Sequence, residues 1–178
     1  MKVVGIIASP RKNGNCDIIT NELISNIKNS EATIYNIDEL NIEPCHACGE
    51  CGPGKDCVVD DDAGKILEDI LEADLLVFST PIYYGQMSAQ GKLITDRFYS
   101  ISTNPKKHFE NKKCVLIATH GAPTGVYDQY MEMTKGSPFG HVGFEVTDII
   151  TAGNLQKVGD ATELEPFIKQ AQEIASKF

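Results

Sequence analysis

The chain has 178 residues, 42% of them hydrophobic, and a formal net charge of −9. That length suits one domain with a full core, and no apolar run reaches the roughly 18 residues a membrane span needs. The acidic balance disfavours general binding to nucleic acid.

Met1-Lys2 leads straight into Val3-Val4-Gly5-Ile6-Ile7 without a basic, apolar and small-residue leader. The expectation is a cytoplasmic protein whose cysteines stay reduced. Lys2 to Ala8 is a continuous apolar run closed by Ser9-Pro10, the pattern of a parallel strand buried on both faces. Asn15 to Lys28 puts Ile18, Ile19, Leu23, Ile24 and Ile27 on one helical face. Glu31 to Asn36 predicts a second strand. The stretch from about 43 to 59 has no apolar period and carries a run of cysteines. Asp60-Asp61-Asp62 can cap the next helix, whose Ile66, Leu67, Ile70 and Leu71 face inward. Leu75 to Ser79 is a third buried strand, and Gly91 to Ser100 lies in the helix after it. Lys92 and Asp96, at i,i+4, pair on that helix's surface. Cys114 to Thr119 is a fourth strand, with Cys114 as a small apolar core residue. A helix through Tyr127 to Lys135, a fifth strand through Phe144 to Thr151 and an amphipathic helix from Glu163 to Phe178 complete the chain. Lys106-Lys107 and Lys112-Lys113 gather positive charge before the fourth strand, as a solvated loop or as a docking patch.

Repeated alternation of strand and helix calls for right-handed crossovers and a parallel sheet covered on both faces. The expected fold is one α/β domain over residues 1–178, with a five-stranded parallel sheet in flavodoxin-like order 2-1-3-4-5. Ligands of such sheets bind at the carboxyl ends of the strands, where strand order reverses. That rule selects the loops after the first, third and fourth strands.

The first loop reads Ser9-Pro10-Arg11-Lys12-Asn13-Gly14-Asn15-Cys16 and has neither the dinucleotide fingerprint nor the nucleotide P-loop. It offers a terminal phosphate the Ser9 hydroxyl, the Arg11 guanidinium and the amides of Gly14, Asn15 and Cys16 at a helix N-terminus. An ordinary capped turn fits the same residues. The third loop contains Pro81-Ile82-Tyr83-Tyr84-Gly85, two aromatics and a glycine suited to close approach of a flat ring. The fourth supplies Thr119-His120-Gly121 at the same edge.

Cys45, Cys48, Cys51 and Cys57 form C-x2-C-x2-C-x5-C. Thiolates so spaced reach the corners of one iron–sulfur cube, and the bacterial ferredoxin run is closely related. Structural zinc sites more often pair two C-x2-C knuckles across a longer insert, and unligated or redox-active thiols remain open. His46 is read as a flanking residue rather than a ligand.

The strand-end S-x-R-x-x-G-N, the T-P-I-Y-Y-G loop and the cysteine loop between them resemble the flavodoxin-like NADPH-dependent FMN reductases. With the cysteines at this spacing, the chain is most similar to the iron–sulfur flavoprotein branch of that family. The likeness covers roughly residues 1 to 125 by motif and the remainder by element order. It implies that Ser9, Arg11, Gly14, Asn15 and Cys16 hold the FMN phosphate, and that Pro81, Ile82, Tyr83, Tyr84 and Gly85 line the isoalloxazine. Thr119, His120 and Gly121 would meet its polar edge. It also implies a homodimer or homotetramer with the flavin near a subunit interface.

The resulting expectation is a flavin-dependent oxidoreductase with FMN and a 4Fe-4S cluster on Cys45, Cys48, Cys51 and Cys57. Electrons would enter from reduced ferredoxin or a similar small carrier and leave to a low-molecular-weight acceptor. The alternatives are an NAD(P)H-dependent FMN or quinone reductase with no functional cluster, a non-enzymatic FMN electron carrier, and a metal-binding sensor.

Overall fold

The computed structural model describes residues 1–178. In chain order the elements are β1 (Lys2–Ile7), α1 (Asn15–Ser25), β2 (Glu31–Asn36), α2 (Asp62–Glu72), β3 (Leu75–Tyr83) and β4 (Gln86–Met87). They continue with α3 (Ala89–Arg97), α4 (Tyr99–Ser102), β5 (Lys113–Thr119), α5 (Asp128–Thr134), β6 (Glu145–Ala152) and α6 (Ala161–Ala175). The sheet runs β2-β1-β3-β5-β6, every neighbouring pair parallel. Numbered among themselves, these five strands have the expected order 2-1-3-4-5.

One element differs from expectation. A sixth strand, β4, pairs antiparallel with the end of β3 through Ile82–Met87 and Tyr83–Gln86. β3 does not stop at Ser79, because its ladder with β5 continues to Pro81–Thr119. The chain then reverses at Tyr84 and Gly85, whose φ angles are 49° and 81°. Positive φ at both central residues matches the twist of a two-residue hairpin, and the usual Asn-Gly signal is absent here.

The two faces of the sheet bury separate cores. Along β3, Leu76 and Phe78 join one and Leu75 and Val77 the other, the alternation a strand imposes. The first core packs α2 against Phe78, Phe98, Phe109, Phe139 and Phe144. Phe109 and Phe144 stack at 4.5 Å. The second core is closed by α1 and α6 through Ile19, Leu23, Leu164 and Ile174. Fully burying one such side chain is worth roughly 1.5–3 kcal/mol. No helix is long and apolar enough to cross a membrane.

Candidate functional site

A cavity of about 290 Å³ opens at the carboxyl ends of β1, β3, β5 and β6, lined by residues of these strand ends and of the loops that follow them. On the β1 side, the Arg11 backbone N–H donates to the Ser9 hydroxyl at 3.2 Å. Asn13 takes a left-handed φ of 53° and returns the chain to α1. A Cβ on Gly14 would lie 2.9 Å from the Arg11 carbonyl oxygen, so the turn closes only around glycine. Gly14 caps α1 without a side-chain bond, leaving the first turn of amides uncovered by any cap side chain. The Arg11 side chain is exposed at the rim.

The side chains of Asn15 and Cys16 are engaged within the chain. The Asn15 side chain is turned to the β6–α6 loop, where its Oδ1 accepts from Gly159 N–H at 2.9 Å and its Nδ2 donates to Lys157 O at 3.4 Å. Cys16 Sγ sits 3.2 Å from Thr119 Oγ1. Burial pushes the Cys16 thiol up to about 12, so it stays protonated. Both residues line the cavity at the start of α1.

On the β3 side, Pro81, Ile82 and Tyr83 line the cavity, but Tyr84 and Gly85 are not brought into it. Tyr84 stands fully in solvent at 108% relative exposure. Ser88 braces this wall: its Oγ donates to Ala8 O at 2.6 Å and accepts from Gly91 N–H at 3.1 Å, capping α3. Its backbone N–H donates to Thr80 Oγ1 at 3.1 Å.

On the β5 side, Thr119, His120 and Gly121 all line the cavity. His120 Nδ1 lies 3.1 Å from Ala122 O. A carbonyl only accepts, so Nδ1 carries the proton and Nε2 presents a lone pair. Nε2 is buried with no partner in the chain. Burial holds the ring's pKa below its ordinary value, outweighing the Ala122 carbonyl and Asp128. A buried acceptor on a ring that lines the cavity fits a ligand that donates there, such as a flavin N–H or a ribityl hydroxyl. The uncapped amides beside Arg11 fit its phosphate.

Sequence reasoning missed Leu155, Gln156 and Val158, which form the fourth wall. The Gly121 carbonyl accepts from Gln156 Nε2, and Leu155 N–H donates to His120 O at 3.1 Å. The strand-end rule applied to the fifth parallel strand would have found them.

The cysteine loop lies elsewhere, between β2 and α2. Cys45, Cys48, Cys51 and Cys57 all line one cavity of about 530 Å³, together with His46, Asp96 and Tyr99. All are free thiols. Ala47, Gly49 and Gly54 take positive φ and fold the loop back on itself. The Cys51 thiol is pushed up first by burial and then by Cys57, Cys48 and Cys45, so the four sulfurs lie within electrostatic reach of one another. No group of three or more His, Cys, Asp or Glu converges on an ion-sized point. Soft thiolate donors around a roomy cavity fit an iron–sulfur cluster or another thiophilic centre. His46 Nε2 lies 3.3 Å from Glu43 Oε2.

The loop is closed at its neck. Asn41 N–H donates to Asp62 Oδ2 at 2.7 Å, and Asp62 N–H returns to Asn41 O at 3.1 Å. Asp61, the N-cap of α2, accepts from Glu43 N–H and from Arg97. The lysines grouped in the sequence do not form one free face. Lys107 pairs with Asp56 at 2.6 Å, Lys112 donates to Ala73 O, and Lys113 lies over the Phe178 ring.

The doubly covered parallel sheet, with its strand-end cavity and separate cysteine loop, defines a flavoprotein-like α/β domain. The chain belongs to the NADPH-dependent FMN reductase family, flavin-dependent oxidoreductases whose sequence model matches residues 1–134. It is 34% identical over 99 residues to an iron–sulfur flavoprotein of Methanocaldococcus jannaschii, covering 54% of this chain and 51% of that protein. It is 29% identical over 180 residues to one from Archaeoglobus fulgidus, covering 99% of this chain and 78% of the relative. The chain thus spans about half the length of the first relative and more of the second. Among solved structures, NAD(P)H:quinone oxidoreductase from Methanothermobacter marburgensis superposes with a TM-score of 0.74 at 17% identity, covering 98% of this chain and 97% of that one. At that identity the likeness concerns the fold.

Proposed function

We propose that the chain is an oxidoreductase carrying FMN and a 4Fe-4S cluster, passing electrons between a reduced carrier of the ferredoxin kind and a low-molecular-weight acceptor. The observation that carries the reading is that Cys45, Cys48, Cys51 and Cys57 all line one cavity, distinct from the strand-end cavity. The family, and relatives named iron–sulfur flavoproteins, point the same way.

Bound in these two places, FMN would supply one- and two-electron transfer and the cluster one-electron transfer. Arg11 and the first amides of α1 would anchor the phosphate, with Ser9 holding the turn. Pro81, Ile82 and Tyr83 would flank the ring and exclude water, and His120 Nε2 would accept from its polar part. The four cysteines would hold iron as thiolates. Assembly as a homodimer or homotetramer belongs to the same reading, with the fully exposed Tyr84 available for contact.

The test is anaerobic reconstitution followed by counts of iron and acid-labile sulfide. Four of each per chain is expected, and serine at any one of the four cysteines should strip or remodel the cluster while sparing FMN. Stoichiometric zinc, or no metal, would remove the cluster from the reading. Stopped-flow reduction then separates donors: rapid flavin reduction by NADPH, unaffected by Cys48→Ser and unmatched by reduced ferredoxin, would favour a plain NAD(P)H-dependent FMN or quinone reductase.

A further inference from the structure

Arg97 ends α3, and its side chain is 1% exposed, the largest side chain buried so completely. It belongs to neither cavity lining, yet it touches both ends of the cysteine loop. Nη1 donates to Asp61 Oδ2 at 2.7 Å and to the Glu43 carbonyl at 3.2 Å, on the entering strand of the loop. Nη2 donates to the Val59 carbonyl at 3.4 Å, on the leaving strand. The Asp61 side chain is equally buried, at 1%. Nε–H is buried and no group in the chain accepts it. Burial works against the guanidinium's charge and Asp61 outweighs it; Val59, which the guanidinium holds, lines the cysteine cavity together with Cys57.

A buried ion pair is often no more stabilising than apolar residues of the same volume, so stability alone does not account for this one. An unaccepted buried N–H is rarer still and calls for a partner. Cys57 lies two residues before Val59 on the leaving strand, and its sulfur becomes a strong acceptor when it binds iron as a thiolate.

We propose that Arg97 is a positioning residue for the cluster: it locks the neck of the cysteine loop and offers its Nε–H to the Cys57 sulfur. The inference rests on the cluster reading above. A donated hydrogen bond draws charge from the ligand sulfur and favours the reduced, more negative cluster, so Arg97 raises the cluster's reduction potential.

Two variants test it, each measured with FMN loaded. Arg97→Gln combined with Asp61→Asn removes both charges together and leaves no unpaired buried ion. Arg97→Lys retains a cation opposite Asp61 but has no Nε–H. In both, iron should leave to a chelator about tenfold faster or more, the range typical of lost partners around metal ligands. The cluster potential, followed by EPR, should fall while the flavin potential and FMN affinity stay in place. A purely structural Arg97 would move the unfolding midpoint and leave the potential where it was; that result in Arg97→Lys overturns the proposal. Wild-type protein that takes up no iron overturns the cluster reading and this inference together. Iron uptake with variants indistinguishable from wild type overturns this inference alone.

Discussion

Arg11 is an exposed guanidinium beside the uncapped start of α1, an arrangement with no evident stabilising role inside the chain. Its Arg11→Ala variant should therefore fold normally and bind FMN more weakly by roughly 1.5–3 kcal/mol, a charged hydrogen bond's worth. Titrating the flavin-free protein with FMN checks this; unchanged affinity would mean that the loop is only a helix start. This part of the site was legible because phosphate chemistry needs few residue types and the loop carries them. The use each residue makes of its side chain was not. Asn15 spends its amide on Lys157 and Gly159, far along the chain, and Cys16 turns its thiol to Thr119. Nothing in the sequence singles out Arg97, because its carboxylate partner lies 36 residues away.

At the scale of elements, α3 joins the two cavities: its N-terminus is tied to the flavin-side wall by Ser88 and its C-terminus to the cysteine loop by Arg97. Ser88→Ala removes an N-cap and leaves the Ala8 carbonyl without that donor. The expected loss is about 2 kcal/mol in denaturant unfolding. A loss near zero would show that water or Thr80 fills the gap. The strands and major helices were evident from periodicity, since apolar runs on both faces of a sheet are hard to mistake. The β3–β4 hairpin was hidden because its turn uses tyrosine at positive φ, and the walls from Leu155 to Val158 because nothing in that loop suggests phosphate chemistry.

For the whole molecule, the buried ionisable groups set the pH range of stability. Burial opposes ionisation of Asp61 and Asp69, yet Arg97 and Lys65 with Tyr35 hold both carboxyls below the usual range. The stability they lend is intact above about pH 4 and is lost as pH falls through their folded values. His120, kept neutral by burial, starts the acid loss below about pH 6.5. Asp17, pushed up by burial, acts in the opposite sense and softens it. On the alkaline side burial raises Cys16 and Tyr35 to about 12, and raises Cys114 as well. The folded chain then keeps protons that the unfolded chain releases from about pH 8.5 upward, so stability falls as pH rises. Thermal unfolding should show a plateau between these limits, and Cys16→Ser should make the alkaline slope shallower; an unaltered slope would contradict the assignment. Sheet order was the most legible feature at this scale, because crossover handedness leaves few ways to lay five parallel strands.

Asn41 and Asp62 close the neck of the cysteine loop, the Asn41 N–H on the Asp62 carboxylate and the Asp62 N–H on the Asn41 carbonyl. The sheet and its cavity are complete on one side of that closure, and the thiols lie wholly on the other. The loop is an addition to the sheet rather than a part of it: a short turn across residues 42 to 61 would leave every parallel ladder intact. Gain or loss of the thiols among relatives would then be an exchange of one segment, with the surrounding architecture inherited unchanged.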